Sequence, residues 1–419
     1  MATNPDPWLR ALTWWTKGTK REWGSAIVGF TTIIIVALTL FSDSRNSTTP
    51  SSTFDLHSSD DLVPLTLLYT AQATGAFCLD GSLPGYHFQN GFGSGSANWL
   101  LHLEGGGWCN SIETCNARKG TALGSSKYMD GVQFDGILSP HPTQNPDFYN
   151  WNRVKIRYCD GASFAGHPES EFKNGTELFF RGQLIWEAIM KELLSLGLSE
   201  AKQVMDLMTL QAGMDLEGCT SFRISAGGLA SFIHCDAFRD HLPKNATVKC
   251  LADAGFFLNE PDVLGNRTIL AFYHDIVQLQ GVAKSLGKNC VEIMEPCFFP
   301  QEIIKNVRIP FFIVNPAYDS WQIQNILVPV ASDPQGYWSS CRLSIQKCDS
   351  TQIEDYKTVM DETWHSPHSP RINNKTIAES VGDWYFNREV SKQIDCPYPC
   401  NPHAITWTSR NLNQEHLQY

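Results

Sequence analysis

The sequence predicts an α/β fold, a mostly parallel sheet flanked by helices, on three observations. Four short apolar runs end in glycine, aspartate or proline. They are Asn98 to Trp108, Arg153 to Phe164, Thr247 to Phe257 and Ile309 to Trp321, and each reads as a strand running into a turn. Between them lie stretches whose apolar residues recur at three and four, the mark of helices packed on a sheet. The composition, 42 % apolar and 18 % charged over 419 residues, is that of a globular chain with one large domain or two.

Taken in order, the chain begins with residues 1–22, which carry Arg10, Lys17, Lys20 and Arg21. Residues 23–41 follow with no charge in 19 positions, close to the length of a helix spanning a bilayer core. Only Arg45 follows before Arg118, so the positive-inside rule keeps residues 1–22 cytosolic and sends the rest into the lumen. The apolar run exceeds a signal peptide's, and no clear small-residue cleavage site follows, which favours an uncleaved signal-anchor. Residues 42–61 are rich in Ser, Thr and Pro and read as a stalk. The texture of 62–419 is globular, without repeats or a second linker, and is taken as one lumenal domain.

Thirteen cysteines with no zinc-knuckle spacing point to disulfides in an oxidising compartment. Sequons at Asn46, Asn174, Asn245, Asn266 and Asn374 agree. The net charge of −11 argues against nucleic acid as a partner. His102-x-Glu104 and His234-Cys235-Asp236 lack a third ligand at a metal-binding spacing.

In the lumenal part, Gly175 to Gly197 carries the clearest helical pattern, with Gly197 placed as its stop. Ser225-Ala226-Gly227-Gly228 opens a second apolar helical run, as a nucleophile on a strand-to-helix turn does. The position two before the serine, usually small, holds Arg223. Gly105-Gly106-Gly107-Trp108 follows a strand and suits an oxyanion loop, because glycines let N–H groups turn toward a bound carbonyl oxygen. A plain glycine turn is the other reading. Asp319 ends a strand 94 residues after Ser225, the chain order of an α/β-hydrolase acid. It would serve equally as the N-cap of a helix over Ser320 to Leu327. Of the histidines that follow, His365 and His368 sit in a proline-rich loop, and His403 and His416 in the tail.

The domain from Leu62 to Cys400 resembles the plant pectin acetylesterases, which are similar to the animal Notum carboxylesterases. The segments that carry the resemblance include "LHLEGGGWC", "YCDGASF", "CDAFRDHLP", "CLADAGFFLN", "NPAYDSWQI" and "IDCPYPCNP". It implies an α/β-hydrolase-like fold and hydrolysis of acetyl esters on pectin, homogalacturonan above all. It implies a Ser-Asp-His triad without cofactor or metal, with Ser225 as nucleophile and Asp319 as acid. Gly107, Trp108 and Ala226 would offer the oxyanion N–H groups. The expected protein is a monomeric glycoprotein, held in the Golgi by its anchor or released to the cell wall.

Three departures stand beside the resemblance. The family elbow Gly-Cys-Ser-Ala-Gly-Gly is split here, with "TSFRI" between Gly218-Cys219 and Ser225. The family's histidine segment, Ser-Cys-Phe-x-His-Cys-Gln, is absent where Met360 meets Asp361, and His365 matches a later family position. The tail loses one cysteine. The first two changes hit compact motifs between intact flanks, as errors at exon boundaries do. Besides the esterase, a catalytically impaired protein that at most binds pectin, or the product of a mis-spliced message, therefore remains open. A Notum-like lipid deacylase is disfavoured by the plant-type motifs.

If residues 23–41 anchor the chain, the full-length protein stays in the membrane pellet after alkaline carbonate extraction, and deleting residues 1–41 behind a cleavable signal releases it.

Overall fold

The structure, a computed structural model, describes residues 62–167, 177–208, 226–286, 296–315, 319–344, 347–349, 351–352, 371–390 and 392. The N-terminal segment 1–22, the anchor 23–41 and the stalk 42–61 lie outside these residues. Among the described residues no helix is long and apolar enough to cross a membrane.

Seven strands form one sheet: β1 Thr66–Leu67, β2 Gly85–Gln89, β3 Asn98–Leu103, β4 Asn152–Ile156, β5 Gln203–Met208, β6 Thr247–Asp253 and β7 Phe311–Val314. Their spatial order is β1-β2-β4-β3-β5-β6-β7. The five strands from β4 to β7 pair in parallel, whereas β1 and β2 are antiparallel additions at one edge. The sheet is therefore mixed. The four runs read from the sequence contain β3, β4, β6 and β7, whereas β5, at the centre of the parallel strands, lies in none of them.

Successive residues of a strand point to opposite faces, and both faces of this sheet are covered. Trp99, Leu101 and Leu103 of β3 join one core with Val204, Val248, Ile185, Ile189 and Leu229. Leu100, Met205 and Leu251 join a second with Phe148, Trp151, Val381 and Tyr385. This is why β3 reads as a continuous apolar run rather than an alternating one.

Five helices matter for the site: α1 Ile112–Arg118, α2 Gly182–Ser195, α3 Ala226–Asp240, α4 Thr268–Gln280 and α5 Ile377–Tyr385. The pattern over Gly175 to Gly197 predicted an earlier start for α2. Residues 177–181 are not helical. Leu178 and Phe180 instead pack with Leu79 and the Cys109–Cys115 disulfide, and the Phe179 N–H donates to the Leu79 carbonyl. Tertiary packing overrides the local helical periodicity there. Gly197 does stand just past the end of α2, at φ +114°.

Disulfides join Cys78 to Cys159, Cys109 to Cys115, Cys235 to Cys250 and Cys341 to Cys348, and Cys297 is disulfide-bonded too. The Cys235–Cys250 bond ties α3 to β6. Beside it, α3 approaches β6 so closely that a Cβ on Gly228 would lie 2.5 Å from Gly255 Cα and 2.9 Å from the Asp253 carbonyl oxygen. Backbone atoms cannot swing away as side chains can. Gly228→Ala is expected to cost about 1–3 kcal/mol by overpacking, seen as a lower midpoint in thermal unfolding of the protein.

Candidate active site

The helix α3 begins at Ala226, at the C-terminal ends of the parallel strands, where ligands of open α/β sheets bind. Ser225 lies outside the described residues, as do Gly218, Cys219, Arg223, His365, His368, His403 and His416. Gly107, Trp108, Ala226 and Asp319 are described. A Cβ on Gly227 would lie 2.6 Å from the Leu103 carbonyl oxygen and 3.1 Å from Gly105 N. The start of α3 therefore sits directly on the loop Gly105–Trp108 that leaves β3.

This loop is held by hydrogen-bond donors from three places: α1, the segment after β4 and α4. Gly106 and Gly107 adopt φ +154° and +71°, a region open to glycine at little cost. The Gly106 carbonyl accepts from Arg118 Nη1 at 3.0 Å, at the end of α1. The Gly107 carbonyl accepts from the Tyr158 hydroxyl at 2.8 Å. Just beyond, Gln280 Nε2 on α4 donates to the carbonyls of Cys109 at 2.8 Å and Gly161 at 2.9 Å. The short helix α1 is stabilised by a Ser111/Thr114 capping box and by the Cys109–Cys115 bond. It presents Arg118, whose guanidinium also lies over the Tyr158 ring, 5.0 Å from its centroid.

Trp108 is buried and meets Phe257, Tyr273 and Trp321 edge-on, with ring centroids 4.9, 5.2 and 5.7 Å away. Trp321 stands two residues after Asp319, so this contact brings the end of the β7 segment up to the glycine loop. The Asp319 carboxylate is half-buried and accepts from the N–H groups of Trp321 at 2.8 Å and Gln322 at 3.2 Å. Gln322 Nε2 donates to its other oxygen at 3.2 Å. Asp319 thus caps the helical turn Ser320–Gln322, as one of the two sequence readings expects. Burial raises its pKa against the effect of these bonds.

An ion cluster supports the loop from below. Glu104, the residue before the glycines, accepts from Arg157 Nε at 2.8 Å and from the Tyr158 N–H at 3.0 Å, and its other oxygen lies 3.4 Å from Lys155 Nζ. Burial opposes its ionisation, yet Arg157 and Lys155 hold the carboxyl at about 2. Beside Arg157, burial and that guanidinium push His87 down to about 4. Asp160 has no such ion pair, and burial pushes it up to about 7.

The sequence reading did not single out Arg118, Tyr158, Ser163 or Gln280. Tyr158 and Ser163 lie in "YCDGASF", a segment that reads as a strand ending in a turn and carries the family resemblance, whereas Arg118 and Gln280 have no local signal. His234, weighed with Cys235 and Asp236 as a metal ligand, stacks on Trp186 at 4.6 Å, and its Nε2 lies 3.1 Å from the Phe164 carbonyl. Cys235 is in a disulfide and Asp236 pairs with Arg308. Among the described residues no three His, Cys, Asp or Glu side chains stand together as a metal site.

Glu104→Gln leaves two buried cations without their counterion and is expected to cost about 3–5 kcal/mol. Glu104 is depressed in the folded state, so its stabilisation is present above its ordinary value of 4.5 and lost as pH falls toward 2. Denaturant unfolding between pH 5 and 2 checks this: the wild type loses stability on acidification faster than the variant.

Comparison with known proteins gives this geometry a family. The model described as Pectinacetylesterase matches residues 56–359 and 353–405. The two matches overlap at residues 353–359. Pectin acetylesterase 5 of Arabidopsis thaliana is 55 % identical over 430 aligned residues, covering 94 % of this chain and 96 % of that protein. Pectin acetylesterase 4 of the same plant is 54 % identical, covering 94 % and 98 %. The human palmitoleoyl-protein carboxylesterase NOTUM is 31 % identical over 60 % of this chain and 50 % of its own length. The solved structure of the Wnt deacylase Notum from Drosophila superposes with a TM-score of 0.63 at 22 % identity, covering 82 % of this chain and 99 % of that one. This last likeness is one of fold, the α/β-hydrolase fold that the resemblance implied. With the family model spanning residues 56–405 and relatives above half identity over nearly the whole length, the chain belongs to the pectinacetylesterase family.

Proposed function

We propose that this chain is a carboxylesterase that removes acetyl groups from pectin in the plant cell wall. The observation that carries the reading is the seating of the Gly105–Trp108 loop on the first turn of α3, one residue after Ser225. In a serine esterase the nucleophile and the oxyanion donors must flank one carbonyl. Ser225 would attack the acetyl carbon and pass its proton to a base. The N–H groups of Gly107, Trp108 and Ala226 would take the charge that develops on the carbonyl oxygen. The sugar hydroxyl would leave with that proton, and water would then release acetate from the serine. Asp319 would hold the base in orientation, its raised pKa and capping bonds notwithstanding. No cofactor or metal enters this scheme.

The remainder of the architecture belongs to the same proposal: a cytosolic segment 1–22, an anchor 23–41, a stalk 42–61 and a monomeric lumenal domain 62–419. The disulfides support passage through an oxidising compartment. Asn245, Asn266 and Asn374 are exposed, which suits glycosylation there. Asn46 and Asn174 lie outside the described residues.

A second reading, pectin binding without turnover, is favoured by one observation: the family's histidine segment is missing between Met360 and Asp361. Removing a triad member costs several orders of magnitude in rate. A fluorophosphonate probe and an acetate-release assay on acetylated homogalacturonan separate the two. The esterase reading expects rapid labelling and acetate release, both abolished in Ser225→Ala. Pectin binding with neither labelling nor release would replace it with the second reading.

A further inference from the structure

We propose that Ser163 is a positioning residue that locks the two halves of the oxyanion site, the Gly105–Trp108 loop and the start of α3, onto each other. This rests on the reading that Gly107, Trp108 and Ala226 supply the oxyanion N–H groups. The Ser163 side chain lies between them. Trp108 Nε1–H donates to Ser163 Oγ at 2.8 Å, and Ser163 Oγ–H donates to the Ala226 carbonyl at 2.6 Å. The Ser163 N–H donates to the Tyr158 hydroxyl at 3.0 Å, which in turn donates to the Gly107 carbonyl. All three proposed donor residues therefore connect to this one serine.

Two further features single Ser163 out. It is fully buried, and its hydroxyl both accepts from Trp108 and donates its one O–H to Ala226, so the bridge fixes the geometry around it. Its backbone sits at φ +55° and that of Phe164 at +56°, a left-handed region that disfavours residues other than glycine. Such strain persists where the surroundings over-determine it. Glycine would fit that backbone with less strain but would carry no hydroxyl. A serine at this place supplies the bridge that a glycine would lack.

Oxyanion donors act only within about 2.7–3.1 Å of the developing charge. Loss of the bridge leaves the Trp108 indole N–H buried without its acceptor and lets the loop and the helix start relax apart. The transition state is penalised more than the bound ester, so the loss falls on kcat.

The test compares Ser163→Ala and Ser163→Gly in the full-length protein, using an aryl acetate and acetylated homogalacturonan. Thermal unfolding establishes that each variant is folded. Both variants are expected to lose about 10-fold or more in kcat, with KM within about twofold of wild type. A glycine variant that matches wild type would show that only the backbone conformation matters, and a loss confined to KM would show a binding role; either overturns the proposal. A second readout does not need turnover. The indole N–H resonance of Trp108, assigned with Trp108→Phe in protein labelled with 15N-tryptophan, is expected to shift and to exchange faster in both Ser163 variants. An unmoved resonance overturns the clamp. A wild type that hydrolyses no ester, with a resonance that does move, overturns the esterase reading and leaves the clamp standing.

Discussion

The contact on which the site depends is between backbones. At the start of α3, Gly227 lies against the end of β3 and Gly228 against Gly255 after β6, each too close for a side chain. This near approach lets the helix begin where the glycine loop ends. The Cys235–Cys250 bond fixes the same helix to β6 two turns further along, so α3 cannot slide along the sheet to relieve the crowding. The glycine loop after β3 and the first turn of α3 meet because no Cβ stands between their elements.

Beneath that point, the fold holds its charges in opposite ways. Glu104 stays ionised because two cations face it, and its contribution is to hold the root of the loop in place. Asp160, in the "YCDGASF" segment, is driven toward its neutral form by burial, which outweighs the opposing effects of Arg118 and of backbone hydrogen bonds. The two acids lie close in space, yet their surroundings separate their pKa values to about 2 and about 7. Desolvation is common to both; Glu104 has two cations, Arg157 and Lys155, set against it, and Asp160 only Arg118.

Much of this was legible in the sequence. Strands β3, β4, β6 and β7 were visible as short apolar runs ending in turn residues, whereas β5, with Gln203 and Asp206 breaking its apolar run, was not. The helix after Ser225 and the glycine loop were visible as local patterns, and the capping reading of Asp319 followed from the residues after it. The edge strands β1 and β2 were not visible, since β1 has only two residues and its pairing is fixed by partners elsewhere. The late start of α2 was hidden because Leu178 and Phe180 answer to Leu79 and a disulfide far away in sequence. Ser163, Tyr158 and Gln280 were missed for the same reason. Their meaning lies in contacts spanning 51 to 171 residues, which no periodicity reports. Ser225 and the candidate histidines fall outside the described residues, so for them the sequence remains the source.

The disulfide pattern also sets an order of events during synthesis. Cys109 and Cys115 are six residues apart and can pair soon after they emerge. Cys78 emerges before either, but its partner Cys159 comes 81 residues later. A growing chain therefore exposes three thiols before the fourth exists, and two of the three possible early pairings use Cys78 wrongly. Correct maturation requires that Cys78 remain reduced until β4 has delivered Cys159, or that an early bond be exchanged through a mixed disulfide. Where an early bond has formed, the yield of folded protein is tied to thiol–disulfide isomerisation, a step that takes seconds to hours depending on oxidant and isomerase.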